Sequence, residues 1–494
     1  MHKTYSKVYL NKFVMLFNSI DFLIFLPIVF LLYWFVFKTI KQKNLLIVIV
    51  SYFFYGWWDY RFLFLISLTS VCSYLSGLLI ERHEESRKIQ QLISATNISL
   101  NLIILGVFKY YNFFIENLVS LLLLWNIDLD IITLNIILPV GISFYTFQAL
   151  SYTIDVYQKK LKATHNIIEF FAFICFFPQL VAGPIERATN LLPQFQKNRT
   201  FEYEKAVDGL RQMLWGFFKK LVIADNCAAI VNQYWDSYQE LSGTMLLLLG
   251  VLFTFQIYCD FSGYSDIAIG CARLFGINLM RNFNFPYFSR SIPEFWRRWH
   301  ISLTTWFRDY IYFPLGGSRC EKWKVIRNIF IVWSVSGLWH GANWTFVCWG
   351  LFHASLLALY NILGINTKFQ HEVAHGKLLP NLKEASQVLL TFVLAVFGWI
   401  IFRAENRSQA ADYIFSIFTH PILGYGIIDG KKWFIAGTVL LLIEWLQRTK
   451  QHALQFPTEG IFRFRLVRSG IYYFIIYLIF NFAGSSQSFI YFQF

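Results

Sequence analysis

Charged side chains are scarce in this sequence: Asp, Glu, Lys and Arg make up 15% of its 494 residues. A soluble chain of this length would spread its charges over the surfaces of two or more domains, and these are too few to cover them. Disorder is excluded on the opposite ground, because hydrophobic residues reach 56% and aromatic residues 20%. Cysteine is also sparse. The seven cysteines, at 72, 175, 227, 259, 271, 320 and 348, are scattered and form no C-x-x-C pair. They therefore read as small core residues, not as a disulfide framework or a zinc ribbon. No fixed-period repeat and no low-complexity linker divides the chain.

What remains is a succession of apolar runs. A bilayer core of about 30 Å needs roughly 20 apolar residues per helix. Runs of that length or slightly less recur from 18–37 to 467–483, among them 62–80, 91–108, 166–182, 207–231, 244–259, 325–339, 343–363 and 387–402. Several are short or carry Gly and Pro and are expected to be re-entrant or interfacial. The expectation is an all-α polytopic membrane protein with roughly ten to twelve spans, forming one continuous domain over 1–494. The first run is followed by Lys38, Lys41 and Lys43 and has no small-residue cleavage site, so it reads as a retained span. Lys3, Lys7 and Lys12 precede it, which leaves the positive-inside count nearly tied. The net charge of +14 sits in short loops facing lipid headgroups, so phosphate-bearing substrates remain open and nucleic acid does not.

Ionisable groups inside a membrane are expensive, so their placement points to function. The densest set lies between Tyr258 and Gly341. Its first piece runs from Tyr258 through Asp260, Ser262 and Gly263 to Asp266, and interrupts an apolar run. It reads either as a broken helix with its backbone satisfied by Ser and Asp, or as the wall of a polar cavity. The second piece opens with Ser291 and Glu294 as an S-x-x-E capping box, and Pro314, Gly316 and Gly317 end it. On one helix, Trp296, Trp299, Leu303, Phe307 and Tyr310 would share a face, with Arg297, His300, Thr304 and Arg308 opposite. An interfacial helix explains both faces but does not ask for the histidine. Arg297, Arg298 and Arg308 are suited to grip phosphates, of lipid or of a cofactor such as coenzyme A. The third piece, Ser334 to Asn343, carries His340 at the end of an apolar run. Burial there would keep its imidazole neutral and able to accept a proton, either as a general base or as a satisfied structural histidine.

Two further motifs invite a functional reading and do not support one. His371-Glu372-Val373-Ala374-His375 matches H-E-x-x-H, but it lies in a short polar stretch closed by Gly376 and Pro380 with no third ligand, so no metal site is expected. His353, alone on an apolar face, reads as a packed or partner-bonded side chain.

Taken together, these strings resemble the membrane-bound O-acyltransferase family, in its bacterial alginate O-acetyltransferase-like branch. The resemblance rests on Phe177 to Ile185 (FPQLVAGPI), Tyr258 to Asp266, Trp296 to Tyr310 and Trp339-His340-Gly341, with Phe17 to Phe25 and Phe489 to Phe494 at the two ends. It implies helices around a polar funnel or tunnel, with a catalytic region at about 258–343, His340 at the position of the essential family histidine and His300 at the second polar position. The implied chemistry is acetyl transfer from a thioester, acetyl-CoA in the first instance, to a hydroxyl. His340 would act as base, with His300 or nearby donors on the oxyanion. Arg297, Arg298, Arg308, Asp260, Asp266 and Asn343 are the expected substrate-binding residues, and no cofactor is expected to stay tightly bound. The resemblance also implies the inner membrane of a bacterium and a separate extracytoplasmic glycan O-acetyltransferase as partner. The aromatic tail Phe489–Phe494 is either a docking strand for that partner or a segment buried at the membrane interface. The alternatives are D-alanyl transfer to teichoic acid from a carrier-protein thioester, and a transporter without chemistry, for which no inverted internal symmetry is visible.

Overall fold

The computed structural model describes residues 15–127, 134, 137–180, 183–365, 369, 371–422, 431–456 and 460–490. Among these residues the regular structure is helical, with no strand. Five helices are long and apolar enough to cross a membrane: Tyr60–Arg82, Arg87–Leu123, Gly243–Leu274, Trp344–Ile362 and Leu382–Arg403. Three shorter apolar helices, Ile20–Val36, Ile167–Leu180 and Ala436–Leu446, accompany them. The protein is thus a multi-pass membrane protein built from helices. Its exposed surface carries side chains such as Leu23, Phe35, Phe64, Leu389 and Phe480, which only lipid would solvate well. All seven cysteines are free thiols, and four of them are buried.

The chain divides into two compact units: Met1–Phe108 with Ile136–Ala206 and Cys271–Leu279, and Lys109–Asn135 with Val207–Gly270 and Met280–Phe494. In the first, Leu63–Arg82, Arg87–Leu105 and Ile142–Tyr157 pack through small polar groups. Asn97 donates to Thr153 Oγ1 at 2.7 Å and to Ser73 Oγ at 3.2 Å, and Gln90 donates to the Ile80 carbonyl at 2.9 Å. Such pairs let polar side chains face each other where no water can reach them.

The second unit departs from two expectations. The stretch 258–266 does not break its helix: Gly243–Leu274 is continuous over 32 residues. Gly263 is there for proximity. A Cβ on it would meet the Gly216 carbonyl at 2.9 Å, and a Cβ on Gly216 would meet the Gly263 carbonyl at 2.6 Å, so the two backbones cross in contact. Conversely, the stretch 291–310 is not one helix. Ile292–Arg298 and Ile301–Phe307 are separate seven-residue helices. Trp299 between them is extended, and His300 is left-handed at φ 43°, ψ 52°, a region histidine enters more readily than most residues. Ser291 does cap Ile292–Arg298, accepting from the Glu294 N–H, but the Glu294 carboxylate reaches back to the Arg290 N–H instead of Ser291.

The tightest packing in this unit joins Lys322–His340 to Trp344–Ile362. A Cβ at Gly337 would strike the Phe346 carbonyl, and one at Gly350 would strike the Trp333 carbonyl. Asn343, at the turn, caps the second helix by accepting from Thr345 N–H at 3.0 Å. Gly337→Ala and Gly350→Ala should each destabilise the protein by about 1–3 kcal/mol, the usual cost of overpacking. Gly470→Ala, where nothing lies within 4 Å of the added methyl, should leave the protein as stable or slightly more so. Thermal unfolding of the three variants in the same detergent checks the contrast.

Candidate active site

His340 ends the Lys322–His340 helix and is 5% exposed. Its ring is boxed edge-on by Trp349 at 4.9 Å, Trp339 at 5.0 Å and Phe402 at 5.3 Å between centroids. The last carbonyls of a helix have no partners within it, and here another segment supplies them. Lys109 Nζ donates to the carbonyls of Trp339 at 2.6 Å and His340 at 3.2 Å, and Tyr110 donates its hydroxyl to that of Leu338 at 2.8 Å. A cation on a helix C-terminus is also favoured by the helix dipole. Lys109 therefore fixes where the histidine backbone stands. In the sequence it appears only as a lone lysine in an apolar run.

His300, 1% exposed, sits at the break between the two short helices. Phe261 lies edge-on at 4.7 Å and Trp339 at 6.0 Å. Burial pushes its imidazole pKa from 6.5 down to about 3, so the ring is neutral at any physiological pH. Both histidines line one cavity of about 150 Å³, together with Trp296, Trp299, Thr304, Phe307, Arg308, Tyr312 and Ser336. The break at His300 explains why residues expected on opposite faces meet there: after Trp299 the helix restarts in a new direction, and the aromatic and polar sets converge. A larger space of about 1130 Å³ shares Trp296, Thr304, Arg308 and Tyr312 with this cavity and adds Arg297 and Arg319. No Asp or Glu is among the residues lining either one.

The remaining expected residues lie elsewhere. Arg298 is buried and held by Glu294 at 2.8 Å and Glu372 at 2.5 Å. Asn343 is occupied as a helix cap, donating its amide to the Glu405 carbonyl at 2.8 Å. Asp266 pairs with Lys219 at 2.6 Å and accepts from Gln212 at 2.7 Å. Asp260 pairs with Lys220 at 2.8 Å, and Lys220 also meets Asp225 at 2.8 Å. Asp260 further accepts the Ile490 N–H at 2.7 Å. Of the tail Phe489–Phe494, residues 491–494 lie outside the described residues. Phe489 and Ile490 are buried, with Phe489 packed 4.4 Å from the Tyr264 ring. His353 accepts from Trp296 Nε1 at 3.3 Å, as a partner-bonded core histidine. His371 and Glu372 of the H-E-x-x-H string are not helical, and among the described residues no group of three or more His, Cys, Asp or Glu could hold a metal.

Sequence reasoning missed Lys109, Tyr110, Arg319 and the two residues that back His300, Asn282 and Ser302. It also gave the aspartates to the cavity when their partners are lysines two helices away. The Lys220 cluster is fully buried. Lys220→Met should therefore cost about 3–5 kcal/mol by leaving two carboxylates without their cation. Replacing Lys220, Asp225 and Asp260 together by apolar residues should recover much of that loss, and thermal unfolding of both variants measures it.

Residues 158–398 match the membrane-bound O-acyltransferase (MBOAT) family. The chain is 42% identical over 398 residues to a probable alginate O-acetylase, AlgI, of Pseudomonas aeruginosa, covering 80% of this chain and 73% of that protein. It is 35% identical over 431 residues to a peptidoglycan O-acetyltransferase of Helicobacter pylori, covering 81% and 79%. To a teichoic acid D-alanyltransferase of Bacillus subtilis it is 31% identical over 285 residues, covering 55% and 70%. With this extent of likeness, and with its apolar helices and two cavity-lining histidines, the chain belongs to the membrane-bound O-acyltransferase family and is an acyltransferase.

Proposed function

We propose that this protein is an O-acetyltransferase of a bacterial inner membrane, moving acetyl from acetyl-CoA toward hydroxyls of a cell-surface glycan. The observation that carries this reading is the pairing of a small, mostly aromatic cavity that has no carboxylate with a larger space bordered by three arginines. The inner cavity, at about 150 Å³, is of a size that admits benzene in an engineered apolar cavity of another protein. That suits a two-carbon acyl group. A D-alanyl group would bring an ammonium, and no carboxylate lines the cavity to receive it. The outer space, bordered by the exposed Arg297, Arg308 and Arg319, suits the phosphates of coenzyme A. The donor then enters and leaves as a substrate. The identity to proteins named as alginate and peptidoglycan O-acetylating enzymes supports a glycan as the final acceptor. The partner in this reading is a separate extracytoplasmic transferase that completes the transfer.

In this mechanism the neutral His340 imidazole takes the proton of the attacking hydroxyl as its oxygen adds to the thioester carbonyl carbon. The tetrahedral oxyanion collapses, the C–S bond breaks, and the thiolate leaves with the proton that His340 carried. Trp349, Trp339 and Phe402 keep water from the ring, which strengthens every polar interaction made there. Lys109 keeps the histidine in register with the cavity, an effect of orientation.

The test is ester-linked acetate released by mild base from purified surface glycan, compared among wild-type, deletion and His340→Ala strains at equal membrane expression. His340→Ala should lose acetate as fully as the deletion does. An unchanged acetate level in the deletion strain would sink the acetyl reading, and glycan-bound alanine would then be assayed. Loss in the deletion but not in His340→Ala would remove His340 as the base. In membranes, Arg297→Ala and Arg319→Ala should each raise the KM for acetyl-CoA by about tenfold with kcat little changed, as expected for one charged hydrogen bond to phosphate. Initial rates against acetyl-CoA concentration provide the check.

A further inference from the structure

What His300 can do in this reaction depends on which ring nitrogen carries its proton, and the residues behind the ring decide it. Asn282 is fully buried. Its carboxamide oxygen accepts the Ser302 hydroxyl at 2.8 Å and the Ser302 backbone N–H at 3.4 Å. A backbone N–H only donates, so this end of the amide is the oxygen. The amide nitrogen points the other way and donates to Ser265 Oγ at 3.1 Å. The backbone of Asn282 is fixed as well, its carbonyl accepting the Ile301 N–H at 2.9 Å. His300 Nδ1 lies 3.1 Å from the same carboxamide oxygen and 3.4 Å from Ser302 Oγ, whose own proton is already given to that oxygen over the shorter 2.8 Å bond. That oxygen has no proton to give, so the proton between them belongs to Nδ1. A neutral imidazole carries one proton, and Nε2 is then left with its lone pair.

We infer that Asn282 is a positioning residue that holds His300 as the Nδ1–H tautomer, so that His300 meets the cavity through Nε2 as a hydrogen-bond acceptor. This rests on the acyl-transfer reading above and alters one part of what the family resemblance implies. An Nε2 lone pair repels an oxyanion, so His300 does not stabilise the tetrahedral intermediate. That task falls to the hydroxyls lining the cavity, those of Thr304, Tyr312 and Ser336. Of the two reacting groups, the thioester carbonyl offers only lone pairs and the alcohol offers a proton. The attacking hydroxyl gives its one proton to His340, so the Nε2 of His300 is complementary to a neighbouring hydroxyl of the acceptor, and His300 marks the end of the cavity where the acyl acceptor binds.

The experiment uses full-length protein labelled with 15N-histidine in lipid nanodiscs, without substrate. The His300 signals are assigned by their loss in His300→Gln. The expected spectrum has a protonated Nδ1 and a bare Nε2 in the wild type. Asn282→Asp, whose carboxylate also accepts, keeps Nδ1 protonated, and Asn282→Ala shows mixed tautomers. In acyl-transfer assays, kcat should fall roughly 100-fold in Asn282→Ala with the donor KM unchanged. A protonated Nε2 in the wild type would overturn the assignment. So would an Asn282→Ala protein that keeps both its Nδ1 proton and full kcat. If Asn282→Ala does not fold, the wild-type spectrum alone decides the tautomer. Because that spectrum is read with no donor present, it stands or falls independently of whether acetate is the group transferred.

Discussion

At His300 the chain adopts a left-handed conformation, and the site depends on this one turn. A residue with a β-carbon gives up of order 1 kcal/mol to sit there, and the surroundings hold it in place through the hydrogen bonds to Asn282. Had the helix that begins at Ile292 run on, Trp296 and Trp299 would have faced away from Thr304 and Arg308. Because it stops and restarts, a tryptophan wall, a histidine and an arginine border the same small volume. The second histidine reaches that volume by a different route, at the end of a helix pressed against its neighbour at Gly337 and Gly350. Two unrelated pieces of local geometry thus deliver two imidazoles to one place.

Much of this was legible in the sequence, and the parts that were not share a cause. The membrane class followed from composition alone. His340 and His300 stood out because a polar group in an apolar run needs a reason, and both do line the cavity. Asp260 and Asp266 stood out for the same reason, and they illustrate where that logic stops. It locates buried polarity without saying what meets it, and here the partners are Lys219 and Lys220, on another stretch of chain. Lys219 and Lys220 lie in a π-helical segment, Phe218–Ala224, whose widened turn no periodicity rule anticipates. The helix break at His300 was equally hidden, since no Gly or Pro lies between Glu294 and Phe313 to mark it, with a cap in front and glycines behind. Asn282 gave no signal at all. Asparagine is common in loops, and only its distance to a ring nitrogen sets it apart.

The protein separates its buried charges into two kinds. Lys219, Lys220, Asp225, Asp260 and Asp266 neutralise one another, and Arg298 is neutralised by two glutamates. Near the two histidines the lining has no carboxylate. A carboxylate beside either ring would draw it toward the imidazolium and remove a lone pair from the cavity. Keeping the acids tied to lysines elsewhere leaves the cavity lining largely aromatic and without a carboxylate.

The bond between Lys109 and the carbonyls of Trp339 and His340 spans about 230 residues of chain. At a synthesis rate of 5–20 residues per second, the interval between the two ends emerging is about 10–50 s. During that time the helix Arg87–Leu123 carries an ammonium group whose eventual partners do not yet exist. A lysine in that position favours the aqueous interface or the protected channel of the insertion machinery over lipid. The residue that fixes the His340 backbone in the folded protein is thus, until that pairing forms, one that its own helix must shelter from lipid.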